Sequence, residues 1–233
     1  NAAGDVTYTT SSSTSTDIAA GGIQAVNVAL DTANGLTQSG AIVATSLDVT
    51  NSAGTVVLDQ SNSLTNVEID NTGNSVSFTN TAATNISAGG IQGSTVVLNT
   101  ANGLTQTGAI VATSLDVTNT VAGNVVLDQN NDVATVAITN AVADVTYTTN
   151  RSSTTDIAGI QGVNIDLNSE NGITQSGAIT ATSLDVTNAA TGNVVLANGS
   201  NDVDSLTVIN TTRAITYSDS DDVILNQLDG SPI

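Results

Sequence analysis

One passage of this chain is written three times. Gly35-Leu36-Thr37-Gln38-Ser39-Gly40-Ala41-Ile42 runs on through Ala44–Asn51 and into Thr55–Gln60, and the passage recurs at Gly103–Gln129 and at Gly172–Leu196. Repetition at about 70 residues is the mark of a chain that grows by stacking like units, each covering the core of its neighbour. A length of 233 residues therefore need not mean one large globular domain or two small ones.

The rest of each unit fits the same reading. Asp5-Val6-Thr7-Tyr8-Thr9-Thr10 returns at Asp144–Thr149, with variants at Ser75–Thr79 and Ala214–Ser218. Asp17–Gln24 returns as Asn85–Gln92 and, two residues shorter, as Asp156–Gln161. A strand is expected after each of these, at Val26–Asp31, Thr95–Asn99 and Val163–Leu167. Asn34-Gly35, Asn102-Gly103 and Asn171-Gly172 supply turns, because Asn-Gly favours positive φ. Strands at Asn66–Asp70, Thr135–Thr139 and Ser205–Ile209 close the units, after Asn-rich breaks such as Ser61-Asn62-Ser63 and Asn130-Asn131-Asp132.

Within strands the apolar residues alternate. In Thr55-Val56-Val57-Leu58-Asp59, Val56 and Leu58 face in, and Val57 and Asp59 face out. In the repeated passage, Leu36 and Ile42 are expected to layer into the core while Gly40 lets the backbone turn. No helical period occurs. Aromatics are 2% of the chain: Tyr8, Tyr147, Tyr217 and Phe78. A narrow core of aliphatic layers needs few rings, and the frequent Val and Ile argue against disorder.

The expected fold is all-β: a parallel β-helix, or solenoid, of roughly ten coils in about three super-repeats, preferred over a β-sandwich because no single copy carries a domain-sized core. Three coils of roughly 23 residues per super-repeat, stacked at about 4.8 Å, give a rod of roughly 50 Å. Val-on-Ile layers inside and Asn-on-Asn ladders at the corners supply the packing. Residues 1–217 form the repeat region. Residues 218–233 depart from it and are expected to be an acidic tail, a cap or a linker.

Charge and composition limit function. The chain has two Arg, no Lys and 21 Asp or Glu, for a formal net charge of −19. Phosphate backbones and anionic lipid would repel it, so neither nucleic acid nor membrane insertion is expected. No apolar run is long enough for a transmembrane helix. The chain has no Cys, His or Met, and its single proline is Pro232. It starts at Asn1, as expected of a processed chain or of a segment of something longer.

No catalytic constellation stands out. The basic residues are only Arg151 and Arg213. The acidic residues recur in register, Asp48, Asp116 and Asp185 in one expected ladder and Asp59 and Asp128 in another, as corners and solvent faces do. Asp219-Ser220-Asp221-Asp222 is the densest acidic cluster, but it lacks the glycines and distal Glu of known calcium loops. Thr-rich strands such as Thr7-Tyr8-Thr9-Thr10 recur only once per super-repeat, too rarely for an ice-binding rank. The Asn-x-Ser/Thr matches at Asn85, Asn150, Asn198 and Asn210 are explained by composition. The expectation is a non-enzymatic chain with no cofactor and no metal, whose specific surface would lie where the copies differ: Arg151–Ile160 and the stretch after Tyr217.

Ile173-Thr174-Gln175-Ser176-Gly177-Ala178-Ile179 resembles the opening of the repeat in filamentous-haemagglutinin-type exoproteins, the secreted β-helical adhesins of two-partner secretion systems. Gly192–Leu196, Asn201-Asp202-Val203, Ser205–Val208 and the junction Ala101–Gln106 follow that repeat's order. The resemblance covers the chain up to about Tyr217. It implies a right-handed parallel β-helix, export from a Gram-negative-type cell and a structural role in an adhesin or surface fibre. The partner would be a surface glycan or protein, or other copies of the chain stacked head to tail into a filament. That family's secretion domain has no match here. A polysaccharide-acting β-helix enzyme is the remote alternative.

Overall fold

In a computed structural model, which describes residues 4–210 and 213–230, the chain is a parallel β-solenoid of about 11 turns. Pro232 and the Thr211-Thr212 of one glycosylation match lie outside the described residues. Every strand pairing is parallel, and there is no helix among the described residues. The alternating burial expected of the strands is present: Val56 and Leu58 are buried, Val57 is half-buried and Asp59 exposed. Leu36 and Ile42 are both in the core.

The coil is shorter than the roughly 23 residues expected of three coils per super-repeat. Registered partners lie 18 to 22 residues apart along the chain, as in Val28 with Leu47, Leu47 with Val67 and Leu104 with Val125. The repeated Leu47, Leu115 and Leu184 lie 68 and 69 residues apart. One super-repeat therefore spans about three and a half coils, not three.

The half coil reorganises the molecule. The cross-section has two broad faces, front and back. Leu47, Val67 and Ile86 stack on the front face, and Leu104, Val125, Val145, Ile165 and Leu184 carry that face onward. Leu36, Val56, Val76, Val96, Leu115 and Val136 stack on the back. So the first and third copies of Leu47-Asp48-Val49 sit in front and the middle copy behind. Each face tolerates either copy because both present the same aliphatic inner rows.

Two polar spines run along the corners between the faces, buried although every member is polar. Where front turns to back, the Thr32 hydroxyl donates to Asn51 Oδ1 at 2.8 Å and Asn51 Nδ2 donates to Asn71 Oδ1 at 2.8 Å. Asn188 and Asn210 repeat the contact at 3.0 Å. Where back turns to front, Thr100, Asn119 and Asn140 form the same chain, at 3.1 and 2.9 Å. Gln38 pairs reciprocally with Asn62 at 2.9 Å, and Gln106 with Asn131 at 3.0 Å. Buried amides persist only when their donors and acceptors are satisfied. Here they also cap backbone groups that the corner leaves unpaired. Asn62 Nδ2 donates to the carbonyls of Leu58 and Thr79, and Asn62 Oδ1 accepts from the Ile42 amide. Ser61–Ser63 and Asn130–Asp132 are thus not breaks but places where one long strand shifts register around a buried Asn.

The turn glycines have two different roles. Gly35, Gly103 and Gly172 take φ of 98°, 94° and 90°, as Asn-Gly turns require. Gly40 does not turn the chain by positive φ. A Cβ there would lie 2.4 Å from the Ala19 carbonyl oxygen, so glycine is needed for close coil-to-coil approach. The stretch expected to leave the repeat contains one more rung: Ile224–Gly230 pairs in parallel with Asp202–Asn210.

Candidate functional site

The two faces differ in charge. On the front, outward Asp48 is stacked directly on Glu68, and Asp166 on Asp185. Asp31, Asp70 and Asp144 belong to the same side. On the back, Asp116 stands between Val97 and Ala137, with Ser77 beyond Val97. Asp48, Asp116 and Asp185 do not form one ladder, because the half coil sends the middle one to the opposite face. Asp59 and Asp128 are separated in the same way, Asp59 following the back-face Leu58 and Asp128 the front-face Leu127.

Arg151 lies at the edge of a surface groove of about 360 Å³ that also takes in Gln92, Val111, Thr113 and Asp132. Its Nε is 3.4 Å from Asp132 Oδ1, and its Nη1 donates to Ser153 Oγ at 2.6 Å. The carboxylate is mostly exposed, so this ion pair contributes little to stability. Arg213 is exposed, just beyond the buried Asn210.

The acidic stretch after Tyr217 folds against the coil above. The Tyr217 hydroxyl donates to Asp219 Oδ2, and desolvation followed by that bond raises the tyrosine above its ordinary range. Local desolvation, then Asp202 and Asp219, hold the Asp221 carboxyl above the usual carboxylate range. These side chains crowd one another without converging: among the described residues no group of three or more acidic side chains could hold a metal ion.

A second groove, of about 580 Å³, opens on the front face at the middle repeat junction, around Asn85, Asn102, Thr105, Asn124 and Val126. It was not among the places where the sequence suggested a specific surface. The signal for it is one letter: Asn85 stands where the other two copies carry Asp17 and Asp156. No family model, curated protein or solved structure matches the chain.

Proposed function

We propose that the chain is a non-catalytic structural segment of an extracellular adhesin or surface fibre, of the filamentous-haemagglutinin type, from a Gram-negative-type bacterium. The observation that carries this reading is the redundancy of the molecule. The aliphatic rows and the two amide spines run through almost every coil, and the outward acidic residues recur with the repeat. A reaction needs a few groups placed once, whereas a spacer needs the same rung many times. The acidic front face keeps such a rod soluble and apart from anionic lipid. Antibodies to the chain should label intact cells of its source and lose their target when those cells are shaved with protease. Labelling only after permeabilisation would overturn the reading. Incubation with neutral and acidic polysaccharides should yield no new reducing ends and no unsaturated products.

A second reading, head-to-tail assembly, is favoured by the last described rung. Leu225 continues the inward row of Leu206 and Leu184, yet it is 54% exposed, with Ile224 at 67% beside it. A strand edge with uncovered core positions accepts further strands, from the same chain or from a second copy. Sedimentation of the isolated chain distinguishes the two: assembly raises the sedimentation coefficient with concentration, and a strictly monomeric chain at high concentration removes this reading.

A further inference from the structure

We propose that the groove at the middle repeat junction is a binding site for a neutral oligosaccharide. The inference deepens the adhesive part of the reading above and rests on it only for the biological source of the glycan. Binding itself is a property of the isolated chain.

The groove's volume of about 580 Å³ lies in the range that encloses a small organic ligand. Its floor is the short strand Leu104–Gln106 with the stacked turns at Gly103 and Gly123. Glycine is needed there by the fold. A Cβ on Gly123, where φ is 81°, would lie 2.8 Å from the Asn102 carbonyl oxygen. The backbone of this floor is already committed. The Leu104 amide donates to the Asn124 carbonyl at 3.0 Å, and the Thr84 amide to the Gly103 carbonyl at 3.2 Å. A peptide could not add itself as a strand here, which leaves recognition to side chains.

Those side chains carry no charge. In the first copy, Asp17 accepts from the hydroxyls of Thr37 and Ser39. In the third, Asp156 accepts from Ser176. In the middle copy Asn85 replaces the carboxylate, accepting from Thr105 at 3.3 Å and donating to Asn66 at 3.1 Å. Asn102 uses its Nδ2 on the Thr81 carbonyl and Asn124 uses its Oδ1 on the Asp144 amide. Among the described residues, Asn102 Oδ1 and Asn124 Nδ2, one amide acceptor and one amide donor, have no hydrogen-bond partner, and both residues line the groove with the exposed Thr105.

The electrostatics choose the ligand class. An anionic saccharide would have to approach a chain of net charge −19 with no basic residue in the lining. A cation would find no carboxylate there. A neutral sugar can give and accept hydroxyl hydrogen bonds with the amides and lay its C–H face on Ala83 and Val126. Without an aromatic ring to stack on, affinity should be in the millimolar range.

The test is an amide NMR titration of the whole 233-residue chain with a panel of neutral oligosaccharides (maltotetraose, cellotetraose, triacetylchitotriose, a β-galactotriose) and with trigalacturonate. At least one neutral sugar should give saturable shifts centred on Thr65, Asn85, Asn102, Thr105 and Asn124. Val126→Arg, and independently Thr65→Arg, should weaken binding by about tenfold or more, by filling the groove. Val57→Arg, at the matching position of the first copy, should leave it unchanged. Equal thermal midpoints certify the folds. The site is refuted if no neutral sugar saturates, if trigalacturonate binds as tightly as the best neutral sugar, or if both groove-filling variants bind like the parent. Loss of the extracellular reading would leave these shifts in place; their absence would leave the rod intact.

Discussion

Asn62 shows what a single residue does in this fold. It is fully buried and joins Gln38, two backbone carbonyls and the Ile42 amide. Asn62→Ala would strand several of these at once. Each buried group left unsatisfied costs about 1–3 kcal/mol, so the chain should lose about 3 kcal/mol or more in chemical denaturation. Asn130→Ala, at an exposed neighbour of the other spine, should change stability by less than about 0.5 kcal/mol. Tyr147 is the opposite case. It takes the place that Phe78 takes one super-repeat earlier, between Leu127 and Leu167, and its hydroxyl is buried with no hydrogen-bond partner among the described residues. Tyr147→Phe should stabilise the chain by about 1 kcal/mol, the reverse of most core substitutions. Burial raises the ionisation of this hydroxyl above its ordinary range. The fold thus holds that proton more tightly than the unfolded chain does. Stability from this group is whole below about pH 10 and falls as pH rises beyond it, where unfolded tyrosine ionises. Denaturation midpoints at pH 8 and pH 11 should therefore diverge less in Tyr147→Phe than in the parent.

At the scale of the element, the half coil is the fact that repetition alone did not reveal. The inward alternation of Val56 and Leu58 and the core positions of Leu36 and Ile42 could be read directly, because a strand with one buried face writes its period into the sequence. The corner ladders could be read in kind. Coil length could not be read from the repeat: spacings of 68 and 69 residues give the translation between copies, but not the number of turns inside it. The signal lay elsewhere. Asn51 and Asn71 are 20 residues apart, Asn119 and Asn140 are 21, and Asn188 and Asn210 are 22. A buried asparagine looks like a loop asparagine unless that spacing is recognised as one rung. The neutral groove was hidden for a different reason. It arises where strands from four successive coils meet, and a one-letter change at Asn85 reads as noise until those coils are side by side. Close coil contact also makes glycine demands testable. Gly40→Ala should cost about 2 kcal/mol or more by overpacking against Ala19 and Gly22. Gly199→Ala, with nothing within 4 Å of its Cβ, should fall within about 0.5 kcal/mol of the parent.

For the whole molecule, the half coil also decides how charge is distributed. A super-repeat of whole coils would stack Asp48, Asp116 and Asp185 above the same face. Instead the middle copy is sent behind, and Asp116 has only Val97 and Ala137 as strand neighbours. The front face keeps the stacked pairs Asp48–Glu68 and Asp166–Asp185, one strand spacing apart. Like charges at about 4.8 Å repel even in water, and the repulsion is screened by salt. Asp185→Asn and Asp116→Asn make the same chemical change at equivalent places in the repeat, so they separate charge neighbourhood from everything else. At low ionic strength Asp185→Asn should raise stability by a few tenths to about 1 kcal/mol, as expected for relieving like charges on adjacent strands. Asp116→Asn should change it little. At 1 M salt, where the screening length is about 3 Å, the two variants should converge. Thermal or denaturant midpoints at the two salt concentrations make the comparison. Equal effects at low salt would mean that neighbouring carboxylates on the front face do not set the cost of its charge.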